Sequence, residues 1–82
     1  MNIKIEDFKT GWFGISIGVK GPEIDHFIDA LNNLKKGNGD HFHIRSNFEG
    51  QAGIGDIEIY VEDKSASDNA VLDPSSPIEP SR

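Results

Sequence analysis

The chain has 82 residues, which is enough for one domain and too few for two. It contains no cysteine, so disulfide frameworks, thiolate zinc sites and cysteine nucleophiles are all excluded. The net charge is −6 and no segment is basic, so a nucleic-acid partner is not expected, and a basic protein is the better electrostatic match.

The N-terminal residues show no basic segment followed by an apolar stretch, so no signal peptide is predicted. No apolar run approaches the roughly 20 residues that a membrane span requires. A secreted domain of this size usually depends on disulfides. Together these patterns predict a cytoplasmic protein that makes no contact with membranes.

Two strands are predicted at the start of the chain. Ile3 and Ile5 mark a short first strand, and residues 9–11 suit a hairpin connection. The second strand alternates apolar residues with small or polar ones, a period of two that is typical of a half-buried strand. Its apolar positions are Phe13, Ile15, Ile17 and Val19.

A single helix is predicted over residues 22–36. Pro22 suits the first helical position, and Gly37 is a natural stop. Lys35 and Lys36 complement the helix dipole in the last turn. The apolar residues recur on one helix face, so the whole stripe is expected to be buried. It consists of Ile24, Phe27, Ile28, Leu31 and Leu34.

Two further alternating segments, 41–48 and 56–62, predict strands joined by a glycine-rich loop that is expected to be mobile. The order ββαββ predicts an α+β fold of two layers, with one helix packed on one face of a mainly antiparallel four-stranded sheet. We expect residues 1–72 to form this single domain, with residues 69–72 a candidate for a very short edge strand. The acidic, proline-rich residues 73–82 are expected to be a disordered tail.

The solvent-facing side of this sheet is the predicted partner-binding surface, because aromatic and arginine side chains are enriched in interface hot spots. The residues predicted there are Trp12, His41, His43, Arg45, Asp56, Glu58 and Tyr60. A bulge near Gly11 would exchange the faces of Trp12 and Phe13. The alternative is an ordinary solvated face on which Tyr60 and His43 pair across strands.

His41 and His43 share one strand face, about 7 Å apart along the chain. They can chelate a metal if a neighbouring strand adds a ligand, for which Glu58 and Asp56 are available. Two surface histidines without a metal are the simpler interpretation, so no metal or other cofactor is expected. Ser46, His43 and Asp56 can be drawn as a catalytic triad, but no nucleophile elbow accompanies them. No catalytic residues are therefore assigned, and the chain is not expected to be an enzyme.

Three segments form a more specific pattern: GWFGISIG at residues 11–18, HFHI at residues 41–44 and GIGDIEIY at residues 53–60. With the helix between them, they resemble immunity protein family thirty-two, whose small bacterial members accompany polymorphic toxins. The resemblance spans about residues 3–72. It implies a cytoplasmic α+β protein that neutralises a cognate toxin domain by binding it, and it assigns no role to any individual residue.

Three other functions remain open. The first is a binding module for another protein or peptide, which the exposed aromatic face would serve equally well. The second is a small structural homodimer that pairs its sheet edges. The least favoured is a small metal-binding protein built on the two histidines. The sequence does not set the oligomeric state.

Overall fold

The computed structural model describes residues 1–74, so residues 75–82 of the predicted tail lie outside the described part. Within it, the elements are β1 (Asn2–Asp7), β2 (Phe13–Gly18), α1 (Gly21–Lys36), β3 (His41–Arg45) and β4 (Asp56–Tyr60). The α+β class and the order of the elements are as predicted. In the same part of the chain, α1 is neither long enough nor apolar enough to cross a membrane.

Both ends of α1 follow from local sequence. At its start, the Glu23 carboxylate accepts a hydrogen bond from the backbone N–H of Lys20 at 3.0 Å. At its end, Gly37 adopts the left-handed conformation with φ 79°, which costs a glycine little. Its N–H donates to the carbonyl of Leu34 at 3.1 Å, and Asn38 reaches back to Asn33 at 3.0 Å. These bonds satisfy carbonyls that the helix leaves open, as in a Schellman ending.

The strands pair as two separate antiparallel hairpins, β1 with β2 and β3 with β4. The predicted single four-stranded sheet is not confirmed, because in the described residues no pairing joins one hairpin to the other. Alternation specifies which side of a strand is apolar. It carries no information about which strand lies beside which, so the pattern alone could not specify how the two hairpins are arranged.

The core is thin and centres on the β3–β4 hairpin. Ile44, at 8% exposure, is the one buried apolar residue among those described. The ring of Phe27 from α1 meets the ring of Phe42 edge to face, with 6.0 Å between centroids. Ile57 and Ile59 lie opposite Ile44 and Phe42 in the strand register and are half-buried. The helix therefore packs on the second hairpin through an aromatic contact.

The expected burial of the whole apolar stripe of α1 is wrong for part of it. Phe27 and Leu34 are half-buried. Ile24, Ile28 and Leu31 are each about half exposed. The physical reason is that α1 meets β3–β4 through the side that carries Phe27, whereas the first hairpin does not cover the remaining side.

The apolar face of the β1–β2 hairpin becomes more exposed towards its turn. At the opposite end, the N-terminal amine of Met1 lies 2.9 Å from the Glu23 carboxylate, which ties the start of β1 to the start of α1. Moving along β2 towards the turn, Ile17 is 37% exposed, Ile15 54% and Phe13 61%. The hairpin thus projects from its attachment to the helix instead of lying across it.

The strand predicted over residues 41–48 begins at His41 as expected but ends early, because β3 stops at Arg45. Ser46 still donates its N–H to the carbonyl of Gly55 at 3.0 Å. Its hydroxyl then accepts the N–H of Phe48 at 2.7 Å, and Phe48 takes a positive φ of 57°. The exposed Phe48 ring lies against Gly55, where an added Cβ would come within 3.0 Å of it. Phe48 therefore covers the loop and does not enter the core.

Beyond β4, residues 61–74 contain no strand. Val61 donates its N–H to the carbonyl of Asp40 at 3.0 Å, which extends the contact with β3 by one step. Val71 and Leu72 are almost fully exposed. The short edge strand considered for residues 69–72 is therefore not formed.

Candidate functional site

Six of the seven predicted binding residues share one side of the β3–β4 hairpin, here called the outer face. The strand register pairs His41 with Tyr60, His43 with Glu58 and Arg45 with Asp56. Alternate residues of a strand point to the same side. The outer face is therefore the side opposite Phe42 and Ile44, which contribute to the core.

Trp12 is the seventh predicted residue, and it belongs to the other hairpin. Its carbonyl accepts the N–H of Phe8 at 3.1 Å, and its own N–H donates to the Thr10 hydroxyl at 3.3 Å. The side chain is 76% exposed. Because the hairpins form separate sheets, no strand pairing brings Trp12 to the outer face.

Each outer-face histidine is hydrogen-bonded to a carboxylate through Nδ1. Nδ1 of His41 lies 2.6 Å from Oδ1 of Asp40. Nδ1 of His43 lies 3.0 Å from both carboxylate oxygens of Asp56. An ionised carboxylate can only accept, so Nδ1 carries the proton in each ring. In the neutral tautomer, Nε2 is then the nitrogen left to bind another group.

Asp56 also faces Arg45, whose Nε lies 3.6 Å from Oδ1. One carboxylate of β4 therefore joins two side chains of β3, the guanidinium of Arg45 and the imidazole of His43. Exposed ion pairs of this kind add little to stability, typically below about 1 kcal/mol. Their effect here is geometric, because they restrict the orientations available to three side chains of the outer face.

Asp40 and His41 change each other's protonation. The hydrogen bond to Asp40 raises the pKa of His41 above its usual value, and the negative charges of Asp40 and Glu58 add to this effect. The hydrogen bond that His41 donates lowers the pKa of Asp40, and the charge of the imidazolium adds to it. The pair therefore favours a charged imidazolium beside an ionised carboxylate.

His41, His43 and Glu58 bring three metal-binding side chains together. The two imidazole rings meet edge to face, with 5.1 Å between their centroids. One potential ligand atom from each of the three residues lies within 4.8 Å of the other two. Among residues 1–74, this is the one group of at least three histidine or acidic side chains that meets in this way.

Asp40 is the site residue that the sequence reasoning missed. It precedes β3 and falls outside the alternating pattern used to choose the outer face. The signal that would have found it is its position directly before His41, since an aspartate next to a histidine can reach the near ring nitrogen. The sequence DHFH therefore contains both histidines and one of their two carboxylate partners.

An open groove of about 800 Å³ lies between α1 and the second hairpin. Glu23 and Phe27 line it from α1, Ile44 and Asn47 line it from β3 and the following loop, and Ile3 lines it from β1. The aromatic contact between Phe27 and Phe42 borders this groove, since both residues line it.

Comparison of the chain with protein-family models, with curated proteins and with solved structures finds no match in any of the three. The resemblance to immunity proteins therefore rests on the three sequence segments described above. What the protein does has to follow from the chemistry of its exposed surfaces.

Proposed function

We propose that this chain is an immunity-type protein, which binds a cognate bacterial toxin domain through the outer face and neutralises it in the cytoplasm without catalysing a reaction. The observation that carries the proposal is the arrangement of that face, where imidazole, guanidinium, carboxylate and phenol groups stand side by side on two paired strands. Arginine and tyrosine are enriched among the residues that dominate binding energy. The sequence resemblance directs the proposal to toxins in particular.

Tyr60 is the main anchor in this proposal. It is exposed at the end of β4, opposite His41, and a tyrosine ring offers a large contact area at a small cost in side-chain entropy. Arg45 supports it as a second contact, because its pairing with Asp56 already restricts its orientation. Less conformational freedom is then lost when the partner binds.

Charge favours a basic partner. The chain has a net charge of −6, and Asp40, Asp56 and Glu58 all lie at or beside the outer face. An acidic surface attracts a basic one over roughly 10 Å at moderate salt and so speeds their encounter. A toxin that acts on nucleic acid would present such a basic surface, and covering it would block access to the substrate.

Trp12 distinguishes two arrangements of the strands. In the single four-stranded sheet that the sequence predicts, Trp12 would adjoin the outer face, since both would point away from the helix. With two separate hairpins, no strand pairing connects Trp12 to the outer face. Trp12→Ala should weaken partner binding by about 2 kcal/mol or more only if Trp12 joins the face on binding.

The exposed apolar side chains favour a second candidate, a homodimer. Ile24, Ile28 and Leu31 form an uncovered row on α1, and Phe13 and Ile15 do the same on β2. Single exposed apolar residues are ordinary, but contiguous ones mark interfaces. Sedimentation velocity over a wide concentration range tests this candidate. A chain that stays monomeric at the highest concentration excludes it.

The first experiment is to capture the partner from the native host with the tagged chain and to test whether co-expression protects cells from that partner. Affinity is then measured for Tyr60→Ala and for the control Asn32→Ala on the exposed side of α1. We expect the tyrosine variant to bind at least about 30-fold more weakly. The control should bind like the parent chain, and both should keep its circular dichroism spectrum.

Two outcomes contradict the proposal. If Asn32→Ala abolishes binding while Tyr60→Ala does not, the outer face is not the interface. If the captured partner is not toxic, or if co-expression gives no protection, the immunity function is wrong. A basic partner also implies that the association rate falls as salt is added.

A further inference from the structure

We infer that His41, His43 and Glu58 form a binding site for a divalent transition-metal ion, with Zn²⁺ the best match to the donor set. Two imidazole nitrogens and one carboxylate oxygen are ligands that zinc takes in proteins. The three candidate atoms lie within 4.8 Å of one another. In a tetrahedral site with ligands about 2.1 Å from the metal, they would stand about 3.4 Å apart. Closing the site requires the exposed side chains of His41 and Glu58 to rotate until these distances shorten by up to about 1.4 Å. The site does not depend on the proposed toxin binding.

The carboxylates behind the two rings are the main support. A metal-binding histidine usually donates its other ring N–H to a carboxylate or carbonyl, which fixes the tautomer and orients the ring. Asp40 occupies Nδ1 of His41 at 2.6 Å, and Asp56 occupies Nδ1 of His43 at 3.0 Å. Both rings are thus arranged to bind a metal through Nε2. A single hydrogen bond between a histidine and a carboxylate is common on a protein surface. Here two histidines are each oriented by a carboxylate, and both lie beside a third potential ligand, Glu58.

Strand pairing fixes the ligands relative to one another. His43 lies directly opposite Glu58 in the register, and His41 lies two residues along the same strand face. The His43 side chain is half-buried and held by Asp56, so it supplies a rigid ligand. His41 and Glu58 are exposed and can adjust. The site therefore combines one fixed and two adaptable ligands.

The donor set also selects among ions. Mg²⁺ and Ca²⁺ prefer oxygen ligands, and this cluster offers one carboxylate and two nitrogens. Imidazole suits Zn²⁺, Co²⁺, Ni²⁺ and Cu²⁺. Three protein ligands leave a fourth tetrahedral position for water. Zn²⁺ is therefore the probe of choice, and Co²⁺ serves as its spectroscopic substitute.

The test is calorimetric titration of the full-length, chelator-treated chain with zinc chloride in mildly alkaline buffer. We expect one ion per chain. His41→Ala and Glu58→Gln should each weaken binding by about tenfold or more, and the double change of His41 and His43 to alanine should abolish it. His26→Ala is the matched control, because it removes the remaining histidine, which lies on α1 outside the cluster.

A second set of measurements separates ligands from the carboxylates that position them. Asp56→Asn should weaken zinc binding by about 10- to 100-fold, while the circular dichroism spectrum stays that of the parent chain. Nitrogen NMR of the imidazoles should show coordination through Nε2 in the parent chain. Co²⁺ should give the intense visible absorption of a tetrahedral site, which His41→Ala removes. If the His43 variant does not fold, the exposed positions His41 and Glu58 still decide the question.

The inference is overturned if the parent chain binds no zinc at micromolar concentrations. It is also overturned if the double histidine variant binds as well as the parent, or if His26→Ala weakens binding equally. All of these measurements are made without a protein partner. A failed metal titration therefore leaves the toxin-binding proposal standing, and a failed toxin assay leaves the metal site standing.

Discussion

Truncating Ile44 should destabilise the fold about twice as much as truncating Leu31. Both changes to alanine remove three carbon groups, worth about 0.8 kcal/mol each when fully buried. Ile44 is 8% exposed, so Ile44→Ala should lose nearly all of the resulting 2.4 kcal/mol or so, with a small cavity cost added. Leu31 is 46% exposed, so Leu31→Ala should lose only about 1.3 kcal/mol.

Urea unfolding followed by circular dichroism measures both differences, provided that the slope of the transition is unchanged. A domain of this size has a total stability of about 4 to 11 kcal/mol, so the loss at Ile44 is a large fraction of it. Equal losses at the two positions would refute the reasoning. They would mean that the uncovered row of α1 is buried in solution. Repeating the measurement at several protein concentrations would then reveal whether a second copy covers it.

Three further predictions concern other parts of the chain. Hydrogen bonds from the N-terminal amine and from the Lys20 backbone lower the pKa of Glu23 below its ordinary value of 4.5. The ionised carboxylate of Glu23 therefore stabilises the fold at pH values above 4.5. At neutral pH, the melting temperature of Glu23→Gln should lie below that of the parent chain. The two melting temperatures should converge as the solution is acidified through the lowered pKa of Glu23. A gap that persists unchanged in acid contradicts this. Gly37→Ala should lower the unfolding free energy by about 1 kcal/mol, because φ is 79° at this position and alanine is strained there. At both Gly37 and Gly39 an added Cβ meets no atom within 4 Å, so steric clashes do not contribute. Gly39 has no positive φ, and Gly39→Ala should therefore cost less. Tyr60→Ala should cost only about 1 kcal/mol of stability, because the side chain is 58% exposed, while it weakens partner binding by about 2 kcal/mol or more.

The sequence predicted α1 almost to the residue. Its limits depend on short-range chemistry: Pro22 and Glu23 in the first turn, and Gly37 at the end. Each of these acts on backbone groups within a few positions of itself, so no knowledge of the rest of the fold is needed. The apolar stripe predicted correctly that one side of the helix packs, but not how much of that side finds a partner.

The shared face of the candidate site was also predictable from local sequence, because it depends on the alternation of side chains along a strand. Once β3 and β4 are recognised as strands, the period of two places six of its residues on one side. The hydrogen bond of His41 could have been anticipated from Asp40 directly before it, whereas that of His43 depends on a strand register that brings Asp56 near. Phe48 was assigned to a strand by alternation, and its positive φ depends on the loop that follows.

The arrangement of strands in two separate pairs has a consequence for self-association. A four-stranded sheet has two edges, but two hairpins have four, and each edge exposes backbone groups able to pair with another chain. Charged side chains discourage such pairing, and β1 carries Lys4, Glu6 and Asp7 while β4 carries Asp56 and Glu58. β2, with the sequence FGISIG, carries no charge at all. It is therefore the edge from which strand-by-strand aggregation would start in a concentrated solution, and a lysine in place of Ser16 would be the simplest protection against it.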